Sequence, residues 1–122
     1  MNREKVIVTS GDFDILNLKD VQFLQKCKLL GDWLVVGLHS DVAVHMKTGT
    51  LNNEFSDRLD MLSEISVIDE ILRFNDADGT SCGLIKLVKL CYPGAAIVYV
   101  SKQEMQNTPE RKIRGVSFVV ID

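Results

Sequence analysis

A short β-branched run, Val6-Ile7-Val8, ends in a glycine turn at Gly11, and a helical pattern follows at once. This strand, turn and helix constrain the chain more than any other feature. An open α/β sheet places its ligand outside the carboxyl end of a strand, against a helix N-terminus. Lys5 to Thr9 therefore reads as a buried strand. Asn17 to Leu30 reads as a helix, with Leu18, Val21, Leu24, Cys27, Leu29 and Leu30 on the apolar side and Lys19, Gln22, Gln25 and Lys26 opposite. Gly31 stops it. Trp33 to Leu38 is apolar without alternation, which predicts a second strand covered on both faces. Strand, helix and strand in this order make a βαβ unit and a parallel sheet.

The same alternation continues. Ser40 or Asp41 caps a short helix over Val42 to Met46, and a polar loop, Lys47 to Asn53, follows. Ser56 is placed to cap a helix from Asp57 to Ser66, and a third strand falls at the end of Val67 to Phe74. Ser81 caps a helix reaching Cys91, where Tyr92-Pro93-Gly94 breaks it. Ala95 to Val100 is a buried strand, Thr108-Pro109-Glu110 opens a short helix, and Val116 to Ile121 is the last strand. The pattern predicts one Rossmann-like α/β domain over residues 1–122, with a mostly parallel sheet and helices on both faces.

Composition narrows the function. A net charge of −3 gives no basic footprint for nucleic acid or an anionic membrane. No apolar run approaches the roughly 18 residues of a membrane span. Met1 to Lys5 lead straight into the first strand, so no signal peptide is expected. Three cysteines, Cys27, Cys82 and Cys91, show no CxxC pairing and read as apolar, unreactive thiols in a reducing cytoplasm. No cluster has metal-ligand spacing.

Gly11-Asp12-Phe13-Asp14-Ile15-Leu16, and the run Leu29-Leu30-Gly31-Asp32-Trp33-Leu34-Val35-Val36-Gly37 that closes the next helix, resemble the cytidylyltransferase-like nucleotidyltransferases. Glycerol-3-phosphate cytidylyltransferases and the nucleotidyltransferase domains of ADP-heptose synthases are nearest in style. The likeness continues through Ser40-Asp41, Lys47-Thr48-Gly49, Asp57 to Leu62, Ile68 to Ile71 and Asn107-Thr108-Pro109-Glu110. The family transfers a nucleoside monophosphate from CTP or ATP to a phosphorylated sugar or alcohol. For an active member the resemblance implies that Thr9, Gly11, Phe13 and Asn17 line the phosphates, that Lys47 and Arg58 counter their charge, and that magnesium with CTP or ATP bridges phosphate oxygens; otherwise no cofactor is expected. It also implies a homodimer.

The resemblance breaks at one place above all. The family signature, histidine-x-glycine-histidine, aligns with Asn17, Leu18, Lys19 and Asp20, and neither histidine is present. Losing one preorganised donor costs about 2.7–4 kcal/mol of transition-state stabilisation. Asp20 adds a like charge, and Lys19 crowds a position that is glycine in the family. The glycine-glycine-aspartate group after the fourth strand is replaced by Ser101-Lys102-Gln103-Glu104, and the chain ends at Asp122, where a serine/threonine-rich segment would begin. The expectation is a divergent member with transfer impaired or lost, a pseudoenzyme or binding module; the alternative is an active enzyme using Asn17 and compensating residues.

Each residue also has a plainer role. Asn17 and Asp20 form a capping pair, Thr9 ends a strand, Asp14 fixes a turn, and Lys47 and Arg58 are solvated surface cations. His39 closes a strand beside the presumed site, where it would compensate for a missing histidine; His45 is a helix-surface residue.

Overall fold

The computed structural model describes residues 4–103 and 108–121. Expectations placed on Met1, Asn2, Arg3, Glu104, Asn107 and Asp122 lie outside the described residues. The chain runs β1 (Lys5–Gly11), α1 (Leu18–Lys28), β2 (Trp33–Leu38), α2 (Asp41–Thr48), α3 (Phe55–Ser63), β3 (Glu70–Arg73), α4 (Cys82–Cys91), β4 (Ala96–Ser101), a 3₁₀ turn at Pro109–Lys112 and β5 (Val116–Val120). The five strands form one sheet in the order β3-β2-β1-β4-β5, and every pairing is parallel. The chain winds outward from β1 to β3, then crosses back to β4 on the other side of β1. That reversal opens a crevice at the carboxyl ends of β1 and β4.

Alternating side chains of the inner strands feed two cores. Ile7, Leu34, Val36, Val98 and Val100 pack with Phe23, Leu24 and Cys27 of α1 and Leu62 of α3. Val6, Val8, Val35, Ile97 and Tyr99 pack with Leu84, Ile85 and Val88 of α4. Both faces are thus covered, which is why Trp33 to Leu38 carries no polar alternation. Gly37 is needed here, because a Cβ at that position would fall inside the Leu84 side chain.

Several local expectations change. In α1 the interior face is Phe23, Leu24 and Cys27, while Leu18 and Leu29 are 70% and 85% exposed. At about 100° per residue those two leucines point away from the buried face. Helix α3 begins at Phe55 with Glu54 at its N-cap, upstream of the Ser56 cap read from sequence, and ends at Ser63. Its entry is set from afar: the Asp14 carboxylate accepts the backbone N–H groups of Asn52 (2.8 Å) and Asn53 (2.7 Å). Ser81 stands at the N-cap of α4 but makes no capping bond with its side chain. Ser40 does cap α2, accepting the Ala43 N–H at 3.1 Å. The cysteines differ from one another: Cys27 is buried, Cys82 half-buried and Cys91 exposed, so the apolar reading fails for Cys91. Burial pushes the Cys27 thiol up to about 12. Among the described residues no helix is long and apolar enough to cross a membrane.

Candidate functional site

The crevice holds a cavity of about 490 Å³, walled by the last residues of β1, the tip of β4, α1 and the Thr108–Glu110 segment. A second cavity, of about 780 Å³, lies between α2 and the loop after β3. Asp12, His39, Lys47 and Ser81 line both and form the seam between them.

Backbone geometry shapes the floor. Phe13 has φ +48°, a left-handed conformation that a large side chain rarely holds, and it is 8% exposed. Its ring folds back over Gly11, where a Cβ would lie 2.6 Å from Cε2. Gly11 is therefore glycine because of Phe13. Thr9 donates its hydroxyl to the Val100 carbonyl at 2.7 Å, tying β1 to β4, and remains on the cavity wall.

The α1 N-terminus carries a reciprocal cap. Asn17 Oδ1 accepts the Asp20 N–H at 3.0 Å, and Asp20 Oδ2 accepts the Asn17 N–H at 3.2 Å. Asn17 itself is exposed and lies off both cavity walls, whereas Asp20 is on the wall of the first. The second Asp20 oxygen meets the Lys102 ammonium at 3.1 Å, and that ammonium lies 5.0 Å from the centre of the Phe23 ring. Lys47 reaches the wall from α2, 3.4 Å from Asp12 Oδ2, with its side chain 70% exposed. The wall of the first cavity thus holds three carboxylates, Asp12, Asp20 and Glu110, against the ammoniums of Lys47 and Lys102.

Arg58 overturns its surface reading, being 0% exposed. Its Nε donates to Asn53 O (3.0 Å), its Nη1 to Asp12 O (2.9 Å) and His39 O (2.8 Å), and its Nη2 to Asp41 Oδ1 (2.6 Å). It lines neither cavity. The guanidinium holds together the loops after β1 and β2, the start of α2 and the entry to α3, so it fixes the rim from below.

His39 sits at the seam, its Nδ1 3.0 Å from Asp76 Oδ2. Asp76 also accepts the Ser40 N–H and the Ser40 hydroxyl, both at 2.8 Å. Burial alone would raise the Asp76 carboxyl, but the Ser40 and His39 hydrogen bonds outweigh it and hold the group below the ordinary value. Deeper in the first cavity the Ser10 hydroxyl meets Ser81 Oγ (2.8 Å) and Tyr99 OH (2.7 Å), and Glu110 Oε2 accepts the Ser81 N–H at 3.0 Å. Burial pushes the Tyr99 hydroxyl up. Sequence reasoning missed Ser10, Asp76, Ser81, Tyr99 and Lys102 as wall or support residues. Their partners lie 29 to 89 residues away, so no local spacing signals them. Glu110 carries a signal within Asn107-Thr108-Pro109-Glu110, Lys102 lies in the run that replaces the glycine-glycine-aspartate group, and Ser81 reads only as a helix cap. Among the described residues no three His, Cys, Asp or Glu side chains gather as a metal site.

A single doubly wound parallel sheet, with its crevice where the strand order reverses, makes this a Rossmann-like α/β domain. The chain belongs to the cytidylyltransferase-like family, whose model matches residues 8–121. It is 34% identical over 119 residues to the bifunctional protein HldE of a Nitratiruptor species, covering 95% of this chain and 25% of that protein. It is 37% identical over 119 residues to the bifunctional protein HldE of Helicobacter pylori, covering 96% and 25%. The chain thus spans about a quarter of the length of the curated relatives it matches. The crystal structure of the lipopolysaccharide core biosynthesis protein from Thermoplasma volcanium superposes with a TM-score of 0.71 at 23% identity, over 96% of this chain and 95% of that one, a likeness of fold.

Proposed function

We propose that this chain is a nucleotide-binding member of its family in which transfer of a nucleoside monophosphate from CTP or ATP to a phosphorylated sugar or alcohol is impaired or lost. The observation that carries this reading is the cap at α1. Where the family signature aims two histidine donors at the triphosphate, the Asn17 and Asp20 backbone N–H groups are bonded within the capping pair, and a carboxylate faces the cavity. An ionised carboxylate only accepts hydrogen bonds, so it cannot stabilise charge building on a phosphate. The alternative that Asn17 does this work has little support, since Asn17 lies off the cavity wall.

Binding has better support than transfer. The crevice keeps the Gly11–Phe13 turn, the Thr9 edge and the Lys47 and Lys102 ammoniums. Magnesium would arrive with CTP or ATP, held mainly by phosphate oxygens and water, with Asp12 as the carboxylate beside it, and would neutralise phosphate charge. A homodimer belongs to the same proposal by family likeness alone; sedimentation at monomer mass would remove it. The functional test pairs calorimetry of CTP and ATP binding with pyrophosphate release over a panel of sugar and alcohol phosphates. Binding without release is expected. Release that depends on Asn17 would overturn the reading.

A further inference from the structure

We infer that His39, oriented by Asp76, is a phosphate-contacting residue of this cavity and supplies the donor that the capped α1 N-terminus withholds. The inference rests on the nucleotide-binding reading above. Its first support is the direction of the hydrogen bonds. Ser40 Oγ accepts the Ala43 N–H, so its own proton goes to Asp76 Oδ1. Asp76 is held as a carboxylate, which accepts and does not donate. Nδ1 of His39 is therefore the protonated nitrogen facing Asp76, and Nε2 is the nitrogen left over.

The second support is where Nε2 lies. Among the described residues Nε2 has no hydrogen-bond partner, and no fully buried side-chain nitrogen or oxygen lacks one. Nε2 thus meets open space, and the open space beside His39 is the pair of cavities it lines. The third is that the ring is held. Phe74 packs against it edge to face, with centroids 5.2 Å apart, and the His39 backbone is bonded at both ends, N–H to Gly11 O and carbonyl to Arg58. A ring fixed by a carboxylate, an aromatic edge and its own backbone is preorganised.

The charged groups around it come from four elements. Asp12 faces it from the β1 turn, Lys47 and Asp41 from α2, Arg58 from α3, and Asp76 and Asp78 from the loop after β3. Lys47 meets Asp12, Arg58 meets Asp41, and Asp76 is spent on Ser40 and His39 itself. An imidazolium, with a proton on each nitrogen, serves Asp76 through Nδ1 and donates from Nε2 to a phosphate oxygen at the seam, within reach of Lys47. The ligand class is an oligophosphate, read through its terminal oxygens.

Binding of magnesium-CTP and of inorganic tripolyphosphate is measured from pH 5.5 to 8.5 for the wild type, His39→Gln and His45→Gln, with the His39 imidazole followed by NMR. Tripolyphosphate and CTP titrate in the same range, so the difference between wild type and His39→Gln is the readout. Wild type and His45→Gln are expected to bind roughly fivefold more tightly than His39→Gln, because a charge-assisted imidazolium–phosphate hydrogen bond is about twice as strong as a neutral one. The His39 ring signals should move on adding either ligand. Binding that is equal in His39→Gln at every pH, or His39 signals that stay still while ligand binds, would overturn the inference alone. No binding by any protein at any pH would overturn the nucleotide reading, and this inference with it.

Discussion

The carboxylate of Asp20 meets the ammonium of Lys102 at 3.1 Å, joining the first turn of α1 to the tip of β4 across 82 residues. With its other oxygen Asp20 closes the helix cap. One side chain therefore occupies the helix N-terminus and neutralises a cation on the cavity wall.

Asp20→Asn keeps an acceptor for the Asn17 N–H and removes the charge. Lys102 is then free to meet a phosphate. Like charges about 4 Å apart in water cost about 1 kcal/mol, so CTP affinity at low salt should rise about fivefold. The gain should shrink at high salt, where exposed charges are screened. Calorimetry at two ionic strengths checks this, and an unchanged affinity at low salt would contradict it.

Arg58→Lys should destabilise the fold by about 3 kcal/mol, because a lysine cannot reproduce a fork that serves three carbonyls and a carboxylate. Domains of this kind are stable by only about 5–15 kcal/mol, so the shift in denaturation midpoint should be large. A loss below about 1 kcal/mol would show that the guanidinium does not hold the rim.

Much of the fold was legible because its signals are local. The apolar runs at Val6 to Val8, Trp33 to Leu38 and Ala96 to Val100 became central parallel strands, and Asn17 with Asp20 became a cap three residues wide. What was not legible is long-range. Arg58 looked like a surface residue because polarity is local and burial is not; two backbone carbonyls from distant loops, Asp12 and His39, join the nearby Asn53 carbonyl to make its site. The Ser56 cap failed for the same reason, since Asp14 sets the entry to α3 from 38 residues away.

Acid should weaken the fold through Asp14, Asp76 and Asp78, whose carboxyls all sit below the ordinary value of 3.8. A group held lower in the folded state binds its proton more readily when unfolded. Its stabilisation is complete above about pH 4 and is lost as pH falls through the folded-state value. Asp76→Asn should flatten this acid limb relative to the wild type in denaturant titrations from pH 2 to pH 6. An identical slope would contradict the assignment for Asp76.

Gly11→Ala should displace the Phe13 ring, since the new Cβ falls 2.6 Å from it. Overpacking of this kind costs about 1–3 kcal/mol. Because Phe13 lines the crevice, CTP affinity should fall together with stability. A stable variant that binds CTP normally would show that the left-handed Phe13 turn is not part of the site.

The central claim is binding without transfer. The most direct measurement is pyrophosphate release at CTP and ATP concentrations that calorimetry shows to be saturating, with magnesium and a panel of sugar and alcohol phosphates. The account predicts heat of binding and no pyrophosphate above a protein-free control. Pyrophosphate that rises in proportion to protein concentration would contradict it, and so would the absence of any binding heat.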